Sequence, residues 1–384
     1  MSKLMNDISG TDQFPRVENR TYLNAASVGL MPGAAEEAIV AWQRDIARNG
    51  TVNFGEDPEE RVFEGLHESA ARLFGATTDD IAVAASFSEL LGSLAWAMVP
   101  AANTNIVGTD VGFPSTLYPW VRVARHTGCE IRLAPSHRMR VDPDELLEQI
   151  DERTAVVCVS HVEYGSGQRF DLKRLADGAH AHDALLVVDA TQSAGAIPID
   201  VRQSNVDVLI TAGYKWLCGP FGAAVMVLAP HLHTRFDPGL VGFRSHRRLW
   251  DLAPARMQLP ETARRFEYGT MGYGNAIGLA RSIDTLTEVG VDRIAAHNLG
   301  LATRLIDGLE ARGADILSPR AGDERTSIVS MRIPGSDPEK IAATLNAGGV
   351  VVSGRNDFVR FSPHLYNTVD DIERALVELD RCLR

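Results

Sequence analysis

The chain has 384 residues, 45% of them hydrophobic and 23% charged, the composition of an ordinary globular protein. Lys and Arg total 38 against 50 Asp and Glu, a net charge of −12. That balance disfavours a global electrostatic grip on nucleic acid or anionic lipid, while leaving room for a local basic pocket.

The first twenty residues are polar and lack an apolar core, so no secretory signal is expected. No apolar run is long enough to predict a membrane span. The four cysteines, Cys129, Cys158, Cys218 and Cys382, are scattered without C-x-x-C spacing. Neither a zinc site nor a disulfide framework follows, no metal is expected, and a reduced, cytoplasmic protein is the default.

In chain order, apolar runs of strand length fall at 105–108, 130–134, 155–160, 185–189 and 208–211. Their near-continuous Val, Ile and Leu content predicts strands buried on both faces, as in a parallel sheet. The stretches 115–126, 143–150 and 172–182 between them read as helices, the second announced by Asp142-Pro143 with Glu145 in its first turn. Strand and helix in alternation predict a doubly wound α/β core. Residues 223–228 add an apolar strand after a Gly-Pro-Phe-Gly turn. Beyond about residue 255 the rhythm changes. Residues 275–288 and 292–312 read as long helices, 326–333, 350–353 and 358–361 as short strands, and 337–347 as a helix between them. A last helix follows Thr368, capped by Thr368 with Asp371 three residues on. The expected organisation is a segment 1–32 that packs with the small domain, a large α/β domain over 33–260, and interdomain helices with a small α+β domain over 261–384. No low-complexity linker separates them, so they are expected to pack as one unit.

Only four lysines occur: Lys3, Lys173, Lys215 and Lys340. Codon bias suffices to explain the scarcity, but it leaves few candidates for chemistry that needs an amine. Lys3 lies in a tail, and Lys173 and Lys340 sit in charged, helix-like stretches. Lys215 differs. It follows an apolar strand in Ile210-Thr-Ala-Gly-Tyr214-Lys215-Trp and precedes a glycine-rich turn. Twenty-six residues earlier, Asp189 ends the strand Ala184-Leu-Leu-Val-Val-Asp189, where open α/β sheets bind ligands. Alone, Asp189 reads as a strand-end cap and Lys215 as a solvated loop residue. Together they form the pair that pyridoxal phosphate requires: a carboxylate for the pyridinium nitrogen and an amine, its pKa lowered by desolvation, for the Schiff base.

With these residues in hand, the chain resembles the class V aminotransferase group of fold-type I pyridoxal 5'-phosphate enzymes, near cysteine desulfurases, selenocysteine lyases, isopenicillin N epimerase-like proteins and kynureninase. The resemblance runs from Tyr22-Leu-Asn-Ala-Ala-Ser-Val-Gly29 to Tyr366-Asn-Thr368. Its strongest pieces are Val-Asp189-Ala-Thr-Gln192, Gly213-Tyr-Lys215-Trp-Leu, Arg265-Phe-Glu-Tyr-Gly-Thr270 and Val359-Arg360-Phe-Ser-Pro-His-Leu-Tyr-Asn367. It implies a large doubly wound, mostly parallel, seven-stranded-type sheet domain with a small α+β C-terminal domain.

The resemblance also implies roles. Lys215 and Asp189 are the catalytic pair, with Lys215 forming the Schiff base and shuttling the α-proton. Gln192 contacts the ring's phenolic oxygen. Ser86-Phe87-Ser88-Glu89 falls at the family's phosphate loop, before a helix over 90–98, so Phe87 and Ser88 bind cofactor there, Ser88 through its hydroxyl. Phe113 stacks on the ring, Tyr214 joins the cofactor set, and Thr270 reaches the phosphate of a neighbouring subunit, which implies a homodimer with shared sites. Arg360 anchors the substrate α-carboxylate. Arg355 lies nearby, as substrate contact or surface residue. Asn24 and the 25–29 turn line the entrance, Tyr164 contacts substrate or cofactor, and His161 reads as a packed structural histidine.

Three departures matter. No cysteine occurs between Gly348 and Arg360, where desulfurases carry a mobile one, and Phe113 stands where they stack a histidine. A persulfide-forming desulfurase is therefore not expected, and Cys218 reads as a buried small hydrophobe. Ala212 replaces the usual Ser or Thr at the phosphate, with Thr211 or Tyr214 as candidate substitutes. The expected activity is C–S cleavage of a cysteine S-conjugate by β-elimination, in secondary metabolism. The alternatives are aminotransferase, decarboxylating deaminase or epimerase. A non-catalytic relative is opposed by retention of Lys215, Asp189, Gln192 and Arg360. A dinucleotide enzyme is opposed because the only suitable glycine cluster, 269–274, follows no predicted strand.

Overall fold

The computed structural model describes residues 11–15, 17–320, 322–355 and 357–383. Lys3 and the first ten residues of the expected N-terminal segment lie outside them.

A seven-stranded sheet runs in the order Ile81–Ala84, Ala224–Leu228, Val208–Ala212, Leu185–Asp189, Thr154–Ser160, Asn105–Thr109, Glu130–Ala134. Only Ala224–Leu228 is antiparallel to its neighbours; the other pairings are parallel. The apolar runs act as expected for strands buried on both faces. Leu186 and Val188 pack with Leu66, Phe74, Leu175 and Ile283 on one side. Leu185 and Val187, one residue out of phase, pack with Leu90, Leu94 and Trp120 on the other.

A second, four-stranded antiparallel sheet takes the order Asp315–Ile316, Val329–Arg332, Phe358–Phe361, Ser353–Arg355. The helices Val291–Glu310, Pro338–Ala347 and Val369–Cys382 cover its apolar face, with Leu305, Leu345 and Leu376 in one cluster with Val359 and Phe361 of the sheet. Thr21–Tyr22 pairs in parallel with Val350–Val351, and the strap that follows crosses to the large sheet.

Several boundaries move. The strand expected over 350–353 divides into Val350–Val351 and Ser353–Arg355, which join different sheets. The strand expected over 326–333 is Val329–Arg332, because Thr326 turns aside to donate its hydroxyl to Gly167 O at 2.8 Å. Helix 172–182 ends at His180, and Asp183 takes φ 57°. Helix 90–98 begins earlier, at Phe87. Helices Gly33–Asn49 and Glu64–Phe74 and strand Ile81–Ala84 had no expectation. The two caps hold: Asp142 accepts from Asp144 N, and Thr368 and Asp371 form a reciprocal capping box.

Candidate active site

The parallel strands end at one edge of the large sheet, and the chain's reactive groups leave from that edge. Ile81–Ala84 leads into Ser86 and the helix Phe87–Met98; Asn105–Thr109 leads to Phe113; Thr154–Ser160 to Tyr164; Leu185–Asp189 to Gln192; and Val208–Ala212 to Lys215. This is where an open α/β sheet leaves a crevice. A cleft opens there, at a place where such sheets bind small molecules. It is lined by Phe87, Ser88, Phe113, Tyr164, Asp189, Gln192, Tyr214 and Lys215, together with Ser86, Ser115, Ser160 and Thr191.

Lys215 is buried. Desolvation pulls its amine down to about 8; Asp189 opposes that shift, and Arg360 and Arg355 add to it. Its Nζ lies 5.3 Å from the Phe113 ring centroid and 5.7 Å from that of Tyr214. Its backbone is fixed by the N-terminal strap. Gly29 N–H donates to Tyr214 O at 2.9 Å, and a Cβ on Gly29 would stand 2.0 Å from Lys215 O. Only glycine permits that approach.

Asp189 is held from two sides. Thr116 Oγ1 donates to its Oδ2 and Thr191 N–H to its Oδ1, both at 2.9 Å. Among the described residues no salt bridge engages it, so a buried carboxylate faces the cleft without a bonded cation. That arrangement fits a pyridinium. Gln192 donates to Ala26 O at 3.1 Å and accepts from Trp216 Nε1 at 2.7 Å, which leaves one amide N–H for the cleft.

At the other end, Ser86 caps the helix Phe87–Met98 by accepting from Glu89 N at 3.2 Å. The Phe87 and Ser88 amides are first-turn donors without intrahelical acceptors, a ready anion cradle. Glu89 reaches back to Ala85 N at 2.8 Å and accepts from Tyr268 Oη, which pushes that phenol up to about 12. Of the two candidates to replace a hydroxyl at Ala212, Thr211 is turned away: it is buried, donates to Ala212 O and does not line the cleft. Tyr214 lines it, stacked on Phe221 at 4.4 Å. Phe113 stands edge-on to Tyr164 at 5.3 Å with 39% exposure, so one ring face is open. A buried carboxylate, a desolvated amine, an open aromatic face and a helix N-terminus around one cleft fit pyridoxal phosphate.

The remaining four expected site residues stand outside this lining. Arg360 sits on the small sheet, 2% exposed. It donates Nη1 to Tyr164 O at 2.8 Å and Nη2 to Ser27 Oγ at 2.9 Å, while its buried Nε has no partner among the described residues. Burial, then the charge of Arg355, lowers it to about 10, so it stays cationic. Ser27 Oγ lies 3.0 Å from Ser353 Oγ, and Ser353 donates to Asn24 Oδ1 at 2.9 Å. Asn24 thus supports the arginine at two removes. Arg355 is exposed on the same small sheet. Thr270 is exposed in the loop before helix Tyr273–Val289.

His161 is buried, and burial followed by the charge of Arg169 lowers it to about 3, which fits a neutral structural role. Thr116, Ser27 and Trp216 escaped the sequence reading. Ser27 lay inside the 25–29 turn and Trp216 directly after the lysine, but neither marks its contact by residue type. Glu163 also escaped. It is 1% exposed, accepts from Thr109 Oγ1 at 2.8 Å, and its Oε2 has no partner among the described residues.

A family model described as Aminotransferase class-V matches residues 47–375. An uncharacterized aminotransferase, YcbU, of Bacillus subtilis is 27% identical, over 95% of this chain and 95% of its own. A probable cysteine desulfurase of Pyrococcus abyssi is 28% identical, over 96% of each chain. The apo structure of cysteine desulfurase from Thermococcus onnurineus superposes with a TM-score of 0.88 at 26% identity, covering 97% of this chain and 96% of that one.

Proposed function

The chain belongs to the class V aminotransferase family of fold-type I pyridoxal-phosphate enzymes, and within that family we propose that it is a C–S lyase of secondary metabolism acting by β-elimination on a cysteine S-conjugate. The observation that carries the reading is a cleft with a tuned lysine and no thiol. No cysteine lines it. Cys129, Cys158 and Cys218 are buried; Cys158 Sγ faces Thr116 O at 3.4 Å and Cys218 Sγ faces Trp216 O at 3.8 Å. Cys382 ends the last helix. Only residues 356 and 357 connect Ser353–Arg355 to Phe358–Phe361, too few for a mobile cysteine-bearing loop. Persulfide formation needs a thiolate to attack the substrate sulfur. Elimination needs a base at Cα, an anchor for the carboxylate and an exit for the thiol.

Arg360 supplies the anchor, since its Nε and the second protons of Nη1 and Nη2 are free for a carboxylate. Bound in the cleft, pyridoxal phosphate supplies the electron sink that stabilises negative charge at Cα. Lys215 Nζ takes the Cα proton, and near pH 8 its amine is poised between acid and base. The Cβ–S pair leaves with the sulfur, which takes up a proton. Water then releases the remaining carbons, so that one conjugate and one water give a thiol, pyruvate and ammonium.

Amine transfer uses the same residues and is the alternative, in line with the aminotransferase name of one relative. Incubating the holoenzyme with S-alkyl cysteines separates the two. Equimolar pyruvate, ammonium and thiol support the lyase. A keto acid that appears only with a second keto acid as amine acceptor rejects it, and persulfide on the protein restores the desulfurase reading.

We also propose a cytoplasmic homodimer with Thr270 serving the neighbouring subunit. Support comes from the unpaired cysteines and from exposed apolar side chains, Phe221 at the cleft and Leu252 and Met257 in the chain between residues 250 and 260. Among the described residues no helix is long and apolar enough to cross a membrane.

A further inference from the structure

The small-sheet strand Ser353–Arg355 pairs with Phe358–Phe361 in the register Ser353↔Arg360 and Arg355↔Phe358. Directly opposed residues share a face, and Arg355 is the diagonal neighbour of Arg360 on that face, roughly 7–8 Å away between backbones. The opposite face is committed to packing. A Cβ on Gly354 would meet Ala342 Cβ at 3.0 Å, and Val359 and Phe361 lie in the apolar cluster. The two guanidinium groups therefore emerge on the side of the sheet that faces the large domain, where Arg360 meets Tyr164 O.

Arg355 is near enough to act electrostatically on both Arg360 and Lys215. Among the described residues no hydrogen bond or ion pair engages its side chain, although the chain as a whole carries a net charge of −12. Three cations thus share this site, and Asp189 is the one carboxylate that lines the cleft. The phosphate cradle lies at the start of helix Phe87–Met98, built from other residues. One substrate carboxylate on Arg360 leaves Arg355 still uncompensated. Two adjacent cations without a counter-charge repel each other, and a ligand that brings two negative groups relieves both.

We infer that Arg355 is a specificity residue that binds a second anionic group, a side-chain carboxylate, on amino acids whose α-carboxylate Arg360 holds. The inference deepens the proposed function and rests on its assignment of Arg360 as anchor. It makes the preferred substrate a dicarboxylic amino acid, with the second carboxylate a few bonds beyond the scissile position.

The test compares S-carboxymethylcysteine with S-carbamoylmethylcysteine, which match in length and shape and differ by one charge. Dissociation constants are read from the cofactor absorbance of the holoenzyme, so binding is scored whether or not either compound is cleaved. Pyruvate release is assayed in parallel and reports the lyase reading separately. The wild-type protein is expected to bind the acid at least tenfold more tightly than the amide. Arg355→Gln is expected to bring that ratio near one, and Arg355→Lys to restore most of it. The wild-type preference should also shrink as salt is raised, since the group is exposed. Equal binding of acid and amide by the wild-type protein overturns the inference. So does a preference that survives intact in Arg355→Gln.

Discussion

Along the carboxyl edge of the large sheet, the side chains that carry the cleft are held in place by bonds to the protein. Asp189 accepts from Thr116 and Thr191, Gln192 is clamped between Ala26 and Trp216, and the Lys215 backbone is pressed against Gly29. At the margin of the cleft, next to Tyr164, the small sheet presents the reverse. Arg360 keeps an unpartnered Nε, and Arg355 has no bonded partner among the described residues. The first wall is preorganised for a resident group that never varies. The second holds donors in reserve for a ligand that comes and goes. Substitutions in the two walls should therefore fail differently: in the first through cofactor and stability, in the second through substrate affinity.

The sharpest cut is Lys215→Ala. The amine is the only lysine in the cleft, so turnover should fall by roughly 10³-fold or more, and the Schiff-base absorbance of the purified protein should vanish. A variant that keeps that absorbance would remove Lys215 from the centre of the site. On the opposite wall, Arg360→Ala removes a bidentate donor to a charged group. With charge-assisted bonds at about 1.5–3 kcal/mol each, kcat/KM should drop roughly 10²–10³-fold. Cofactor absorbance should persist, because the arginine reaches the first wall only through the Tyr164 carbonyl and bonds none of Asp189, Gln192 and Lys215. If cofactor is lost as well, the division between the walls is wrong.

A third change probes a group behind the first wall. Burial, with Asp189 and Asp110 adding to it and Thr109 opposing, raises the Glu163 carboxyl from the ordinary 4.5 to about 7. Below pH 4.5 the folded and unfolded chains both hold this proton. As pH rises towards 7 the unfolded chain releases it while the folded chain keeps it, so stability declines across that window and then levels off. The loss amounts to roughly 3 kcal/mol. Glu163→Gln keeps the shape and cannot ionise. Its stability in urea should therefore be nearly flat between pH 5 and pH 7.5, where the wild-type protein declines. Parallel slopes for the two proteins would mean that Glu163 is ionised in the fold.

How far each wall could be read from sequence follows from the same contrast. The strands behind the first wall are unbroken apolar runs, and Asp189 and Lys215 end two of them, so residue type and position coincide. Ile81–Ala84 escaped because four residues with two alanines carry little strand signal. Gly33–Asn49 escaped because its residues are exposed or half-exposed and only Ala35 is buried. Arg360 was legible as a charge within an apolar strand. Its support through Ser27, Ser353 and Asn24 was not, because those contacts join residues more than 300 positions apart, and a serine in a turn carries no mark of its partner. The division of 350–353 between two sheets has the same origin: pairing with Thr21–Tyr22 is a tertiary choice.

The smallest expected effect tests whether the first wall is as preorganised as its bonds suggest. Thr116 is buried in the first turn of the helix Pro114–Thr127, three residues after Phe113. Its hydroxyl donates to Asp189 Oδ2, while its carbonyl faces Cys158 Sγ. Thr116→Val keeps the volume and removes the donor. The carboxylate then has Thr191 N–H alone, and about 1–2 kcal/mol should be lost. Where that loss appears decides the issue. If the hydroxyl only tethers Asp189, apoenzyme and holoenzyme should be destabilised alike. If it aims Asp189 at the cofactor, the apoenzyme should melt nearly as the wild-type protein does, while cofactor dissociation rises about tenfold. The geometry favours the second outcome. Asp189 is already fixed by its strand and by Thr191, so what the Thr116 hydroxyl adds is the orientation of Oδ2.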